Sequence, residues 1–478
     1  MLLKDMPKNL QEYIIPYARD LESVVLRCIG CGKDHAVKEL LYTCPGCESL
    51  LDVVNLEFDK LRNIEPEDMK KIFAYRRILD DTSIPNDQAL KGVFRFHELV
   101  MPVVGLEDVV YLGEAGTPHI RANPAMEEYA GDVPFEIKHD GIEPSVSFKD
   151  RGMSAAVSFI NYLLNKGIKQ DILGICASTG DTSASAALYL AYLTYLDGVK
   201  SGVILPHNKV TPAQQSQPCA SGASVIEIYD SVFDDCMDIV AELTDQYDVA
   251  LLNSKNGVRI TGQKTFAFET AERYSYEMDD KTVVVPVGNA GNITSVLSGF
   301  LDLYDLGLIE SLPNIVGVQS EKADPIVSWL EQGVYVPVKV DERGPSTAQA
   351  AYIGKPVSFP RVAALTERYQ AAGEVHAVRV SEQEIMDTML IANQNGLTVC
   401  TQGGEAIAGL KKAAEAGVVN GMAMVDSTSH QIKFAGFQLD YYNDRLGDYG
   451  VVPNPELVNL PNQADKDVGE VAKILGLK

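Results

Sequence analysis

The stretch TVVVPVGNAGNITSVLSGFLDLY, Thr282–Tyr304, carries two hydrophobic periods in succession. Its first part, TVVVPV, is a short β-branched run without polar alternation, the pattern of a strand buried on both faces. Its last part places Ile293, Val296, Leu297, Phe300, Leu301 and Tyr304 at the spacing of one helical face. Between them lie glycines 288 and 291, flanking a small alanine and interleaved with asparagines. A strand entering a helix through so tight a turn predicts a βα unit of a parallel sheet. Backbone N–H groups in such a turn, with a helix dipole behind them, make a nest for an anion such as phosphate. The turn is neither a Walker A loop nor a GxGxxG fingerprint, and it contains no lysine, so its donors are neutral.

Working outward, LGICAS, SGVILP, SVIEIY, VALLNS, NIVGVQ and GMAMVD are apolar runs of the same kind, separated by helical patterns. Ser381 and Glu384 form a capping box ahead of EQEIMDTMLIANQNG, with Gly396 as its stop. The fold class is therefore α/β, with parallel sheets flanked by helices. The 478 residues, 46% hydrophobic and 22% charged, suffice for two or three cores. The tail from Val451 begins with prolines and ends in a short amphipathic helix expected to pack across the surface.

Ligands of open parallel sheets sit at the carboxyl ends of the strands. The loops following the apolar runs are therefore the candidate sites. ASTGDTSAS, 177–185, is either a helix start capped by Asp181 or Thr182, or an anion site of N–H and hydroxyl donors. VDSTSHQIKF, 425–434, groups Ser427, Thr428, Ser429 and His430, either as a site or around a hydrogen-bonded histidine. In LLNSKNGVRITGQKT, 251–265, Asn253, Ser254 and Arg259 could converge on an oxyanion; otherwise Arg259 is a solvated helix residue. EPSVSFKDRG, 143–152, sets Lys149 in a charge cluster, as an exposed lysine or as a nucleophilic amine.

Cys28, Cys31, Cys44 and Cys47 form two Cys-x2-Cys knuckles twelve residues apart, a zinc-ribbon spacing that implies a structural Zn2+. His35 lies between the pairs as a bystander, and Glu48 stands where a second knuckle usually has glycine. Cys176, Cys219, Cys236 and Cys400 are expected as small core residues rather than disulfide partners. The net charge of −25 disfavours nucleic acid or an anionic membrane as the main partner. No apolar run is long enough to span a bilayer, and the charged N-terminus lacks a signal-peptide core, so a cytoplasmic protein is expected.

Taken in order, SFKDRG (147–152), ASTGDT (177–182), NSKNGVR with GQKT (253–265), VPVGNAGNIT (285–294) and STSHQIKF (427–434) resemble the threonine synthases, as does LGEAGTPHIRAN (112–123). These are pyridoxal-phosphate (PLP) enzymes of fold type II, akin to the tryptophan synthase β family. The resemblance spans about Tyr111 to Phe434. It implies Lys149 as the Schiff-base lysine, and Gly288, Asn289, Ala290, Gly291 and Asn292 as the cofactor-phosphate cradle. It places Thr428 at the pyridine nitrogen and Asp181 near the phenolic oxygen. A carboxylate facing a phenolate needs an intervening proton, so the cofactor's colour is expected to depend on pH. Ser178, Thr182, Asn253, Ser254 and Arg259 match the family's site for a substrate phosphate, and the implied substrate is O-phosphohomoserine. Some threonine synthases also carry a four-cysteine N-terminal segment with a non-catalytic zinc.

The expected organisation is an extension over 1–80, a large catalytic domain over 81–150 and 253–455, a smaller mobile α/β domain over 151–252, and a tail over 456–478. A homodimer is implied. The alternatives are a cysteate synthase-like lyase of O-phosphoserine and sulfite, a serine or threonine dehydratase, and a non-catalytic zinc-ribbon interaction protein.

Overall fold

The structure, a computed structural model, describes all residues except Thr179, Lys209, Thr211, Val232 and Lys478, so one position of the 177–182 motif lies outside the described residues. Its strands are β1 (Val24–Cys28), β2 (Asp34–Ala36), β3 (Leu51–Asn55), β4 (His119–Arg121), β5 (Phe135–His139), β6 (Ile172–Ala177), β7 (Val199–Pro206), β8 (Ser224–Ile228), β9 (Val249–Leu251), β10 (Lys281–Pro286), β11 (Asn314–Ser320), β12 (Val375–Val380) and β13 (Met422–Ser427). Its helices include α1 (Lys149–Asn165), α2 (Asp181–Ala191), α3 (Gly257–Gln263), α4 (Thr265–Arg273), α5 (Gly291–Asp305), α6 (Phe359–Tyr369), α7 (Glu382–Gln394) and the tail helix α8 (Val468–Ile474).

The strands form three sheets. A small antiparallel sheet has the order β2-β1-β3. A four-stranded parallel sheet, β8-β7-β6-β9, lies wholly within residues 172–251. A six-stranded sheet, β12-β11-β10-β13-β5-β4, is parallel except for its edge strand β4. The two larger sheets carry helices, giving the parallel α/β architecture that the strand–helix alternation predicts.

All seven apolar runs become strands. β5, FEIKH, is a strand that the apolar runs do not include. It is buried along its whole length despite Glu136 and Lys138, because each charge has a partner. Lys138 Nζ lies 2.6 Å from Glu269, and Arg273 pairs with Glu136 at 2.6 Å. On α5, Ile293, Val296, Leu297, Phe300 and Leu301 are buried, whereas Tyr304 near the helix end remains 38% exposed. The Ser381–Glu384 capping box forms at the start of α7, and Gly396 follows at φ 85°.

Three local expectations are corrected. Neither Asp181 nor Thr182 caps α2: Gly180 takes that position with extended backbone, and the helix has no side-chain cap. The Asp181 carboxylate is engaged elsewhere, as described below. The tail helix α8 buries no residue, and its Val468 is 85% exposed; seven residues give it too short an apolar stripe to dock. Cys176, Cys236 and Cys400 are buried as expected, but Cys219 is exposed near the end of its helix.

Residues 51–106 supply packing. Phe73, Phe94, Phe96 and Leu99 join Phe159, Phe268 and Phe300 in one apolar core. Among the described residues no helix is long and apolar enough to cross a membrane.

Candidate active site

One cleft gathers most of the residues singled out around the strand ends, though not Ser427, Ser429 or His430. Lys149, Ser178, Asp181, Thr182, Asn253, Ser254, Arg259, Gly288 to Asn292 and Thr428 all line it. Lys149 comes after β5, and the others follow β6, β9, β10 and β13 at their carboxyl ends, where a parallel sheet presents its loops.

Lys149 is the first residue of α1, and its neighbours explain the SFKDRG order. Asp150 is buried and accepts hydrogen bonds from the Ser145 N–H (2.6 Å) and Oγ (2.5 Å) and from the Ser185 hydroxyl on α2. Burial pushes this carboxyl up to about 6. Arg151 is buried on the next side, donating to Asp140 at 2.7 and 2.9 Å and to Glu269 at 3.0 Å. Gly152 permits α1 to cross α3 closely: a Cβ there would lie 2.9 Å from the Arg259 carbonyl, and one on Gly262 would lie 2.1 Å from the Arg151 carbonyl. On the other flank, the Phe148 N–H donates to the Thr428 carbonyl at 2.9 Å and Ser429 Oγ donates to the Val146 carbonyl at 2.7 Å. Val146 sits at φ 67°, a costly conformation for a β-branched residue. The lysine is thus fixed from four directions.

Lys149 itself is half-buried. Its Nζ lies 3.7 Å from the centroid of the Phe148 ring. Burial, aided by the Arg259 charge and opposed by Asp181 and Asp426, brings its pKa down to about 7. A substantial fraction of the amine is therefore neutral, hence nucleophilic, near neutral pH.

Across the cleft, α5 begins without a side-chain cap, behind Ala290 at φ 62°. Its first-turn N–H groups have no intrahelical partners. A Cβ on Gly288 would lie 2.8 Å from Ala351 Cα, so only glycine fits there. Asn289 is pinned from outside, its carbonyl accepting from the Ser358 N–H at 3.2 Å and its Oδ1 from the Val357 N–H at 3.0 Å. Asn292 Nδ2 donates to Asp426 at 2.6 Å. An uncapped helix start with a rigid turn fits the phosphate of PLP, and the cleft also holds the amine to which the cofactor's aldehyde would attach.

Arg259 is the second anion-seeking group. It is 2% exposed, yet it has no carboxylate partner among the described residues. Its Nη1 donates to the Leu252 carbonyl at 3.0 Å, and its Nε has no hydrogen-bond partner. Burial lowers its pKa to about 10. A buried cation of this kind carries a desolvation cost that an anion in the cleft would offset.

Residues 110–425 match the family described as pyridoxal-phosphate dependent enzyme. A threonine synthase of Methanocaldococcus jannaschii is 36% identical over 398 residues, 82% of this chain and 88% of its own. The chain belongs to the threonine synthase family. Threonine synthase 2, chloroplastic, of Arabidopsis thaliana is 31% identical over 93% of this chain and 82% of its own. The crystal structure of threonine synthase from Escherichia coli superposes with a TM-score of 0.61, covering 95% of this chain and 99% of that one at 19% identity, a likeness of fold.

The cleft and its surroundings hold polar residues to which the sequence reading assigned no role. Lys433, 3% exposed, lies 2.9 Å from Asp181 Oδ1, and Ser147 Oγ donates to Asp181 Oδ2 at 3.3 Å. A lysine side chain thus lies against the Asp181 carboxylate. Gln402 lines the cleft with both side-chain polar atoms buried and unpartnered. Lys433 lies within the STSHQIKF motif without a role having been read for it, and the TQGG around Gln402 looks like ordinary helix-end text. His430, by contrast, serves as a local cap, its Nδ1 accepting from the Ile432 N–H at 3.1 Å.

The four N-terminal cysteines converge, with their sulfurs all within 4.8 Å of one another. Cys28 and Cys47 are 3.3 Å apart and Cys31 and Cys44 3.8 Å apart. Tetrahedral thiolates on zinc stand about 3.8 Å apart, so the set fits that ion. His35 stays outside the ligand set, but its Nε2 reaches Cys44 Sγ at 3.5 Å.

Proposed function

We propose that the cleft converts O-phospho-L-homoserine and water into L-threonine and phosphate. The observation that carries this is the pairing of two anion sites with one neutralised lysine. Arg259, buried and lacking a carboxylate, and the uncapped start of α5 line the same cleft as Lys149. One anion site suits a cofactor phosphate and the other a phosphorylated substrate. The names carried by the relatives support the same reading.

When bound, PLP supplies an electron sink for negative charge developing at the substrate's Cα and Cβ. Gly288 to Asn292 would hold its phosphate, Thr428 its ring nitrogen, and Asp181 with Lys433 its phenolic side. Lys149 Nζ, largely neutral above about 7, takes the Cα proton and returns one at the end. Arg259, with Ser178, Thr182, Asn253 and Ser254, holds the phosphate as its bond to Cγ breaks and its charge grows. Ser178 and Thr182 follow a strand of the four-stranded sheet, whereas the cradle follows β10 of the six-stranded sheet. Closure of the smaller sheet over substrate would bring the two phosphates together and exclude water until the phosphate has left.

The four cysteines are read as a structural Zn2+ site, supported by their sulfur spacing. A homodimer follows the family resemblance; sedimentation at twice 52.0 kDa is the expected result.

Product analysis tests the activity. The PLP-loaded protein is incubated with O-phosphohomoserine, and separately with O-phosphoserine with and without sulfite. Threonine and phosphate released together from phosphohomoserine are expected. Cysteate from phosphoserine and sulfite, without threonine, would overturn the substrate assignment.

A further inference from the structure

The four-cysteine segment is not an isolated appendage. Its exit strand β3 pairs with β1 so that Leu51 faces Cys28, and the Ile29 N–H donates to the Leu50 carbonyl at 3.1 Å. The backbone of Leu51 and the side chain of Asp52 then meet Arg361, in the first turn of α6. Arg361 is 1% exposed. Its Nε donates to Asp52 Oδ1 at 2.5 Å and its Nη2 to the Leu51 carbonyl at 2.6 Å. The same guanidinium donates to the carbonyls of Ser254 (3.1 Å) and Lys255 (3.1 Å). Four hydrogen bonds thus run to two segments, the cysteine extension and the loop carrying Asn253 and Ser254.

A second tie runs in parallel. Tyr42, two residues before Cys44, accepts the Leu251 N–H at 2.9 Å. Leu251 ends β9, and the next carbonyl, that of Leu252, is the acceptor for Arg259. A close backbone contact makes a third: a Cβ on Gly257 would lie 3.0 Å from the Leu51 carbonyl. Asp52 is the only carboxylate paired with Arg361 among the described residues. If the extension loosens, a buried cation is left facing only two carbonyls, both in the 253–256 loop.

We infer that Arg361 and Tyr42 are positioning residues through which the four-cysteine cluster sets the geometry of the 251–256 loop and so the affinity for the substrate phosphate. The inference rests on the reading of Ser254 and Arg259 as substrate-phosphate ligands. A metal held by the four thiolates fixes the knuckles, and their register fixes Leu51 and Tyr42.

The test is hydrogen–deuterium exchange on the PLP-loaded protein before and after removal of metal with a chelator, together with Tyr42→Phe, Asp52→Asn, Arg361→Gln and Arg361→Lys. Steady-state kinetics and calorimetry with inorganic phosphate accompany it. Metal removal and Tyr42→Phe should each raise exchange across 251–262, raise KM about tenfold and weaken phosphate binding by a similar factor, as expected for one lost hydrogen bond to a buried group. The value of kcat and the cofactor's absorbance should change little. Arg361→Lys should recover part of what Arg361→Gln loses; if Arg361→Gln does not fold, Tyr42→Phe and Asp52→Asn carry the test. Increased exchange confined to 24–55, with 251–262 unchanged, would overturn the inference. Increased exchange at 251–262 while Arg259→Ala leaves phosphate binding intact would uphold the coupling and remove the phosphate reading of the loop instead.

Discussion

At the scale of single residues, the proposed chemistry rests on two basic side chains that the fold leaves underpaired. Lys149 has its pKa lowered to about 7, chiefly by burial and then by Arg259. In the apoprotein the reactive neutral amine is thus about a tenth of the total at pH 6 and most of it at pH 8. The rate of cofactor uptake by apoprotein should rise across that interval with a midpoint near 7, measured by absorbance after mixing. Arg259→Ala removes the cation that helps lower this value, so the midpoint should move upward. The same variant should raise KM for the phosphorylated substrate by about 10²-fold, the worth of a charge-assisted pair, with a much smaller loss of cofactor affinity. Equal losses of both would argue against the assignment. Asp181→Asn should alter the pH titration of the cofactor's visible band; an unchanged titration would remove the carboxylate from that role. The residue types of this site were legible because Lys149, Arg259 and the glycine turn stand in motifs with a chemical rationale. Their partners were not. Lys433 and Arg361 reach their partners across long sequence separations, Gln402 enters the cleft through the fold alone, and little in the local sequence distinguishes them from solvated side chains.

At the scale of elements, strands buried on both faces announced themselves as apolar runs, whereas β5 was hidden by its own charges. Glu136 and Lys138 are buried only because Arg273 and Glu269 neutralise them from α4, a fact that no window of sequence contains. The tail shows the opposite failure: α8 has an amphipathic pattern and nothing to pack against. The crossing of α1 and α3 was also invisible, since it depends on two glycines brought together by the fold. A methyl at Gly262 would fall 2.1 Å from the Arg151 carbonyl, a backbone contact that cannot yield cheaply. Gly262→Ala should therefore lower stability by about 2 kcal/mol or more, read from denaturant unfolding at constant m-value.

At the scale of the whole molecule, a buried charge cluster joins the parts. Glu269 takes Lys138 of β5 at 2.6 Å, Arg151 of α1 at 3.0 Å and Arg95 of the N-terminal packing segment at 3.8 Å. These cations hold the Glu269 carboxyl well below its ordinary value. Its stabilising contribution is complete above the unfolded carboxylate's pKa near 4.3 and is lost as pH falls toward the depressed folded value. Glu269→Gln should cost about 3–5 kcal/mol at neutral pH by leaving buried cations unmatched, and the deficit should shrink in acid. Thermal unfolding at several pH values checks both. The glycine crossing has a consequence at this scale too. Because α1 and α3 touch backbone to backbone, main chain fixes where the Lys149 and Arg259 side chains start, leaving only their torsions to adjust. A methyl at either crossing glycine would therefore move the amine and the guanidinium relative to each other without touching either one.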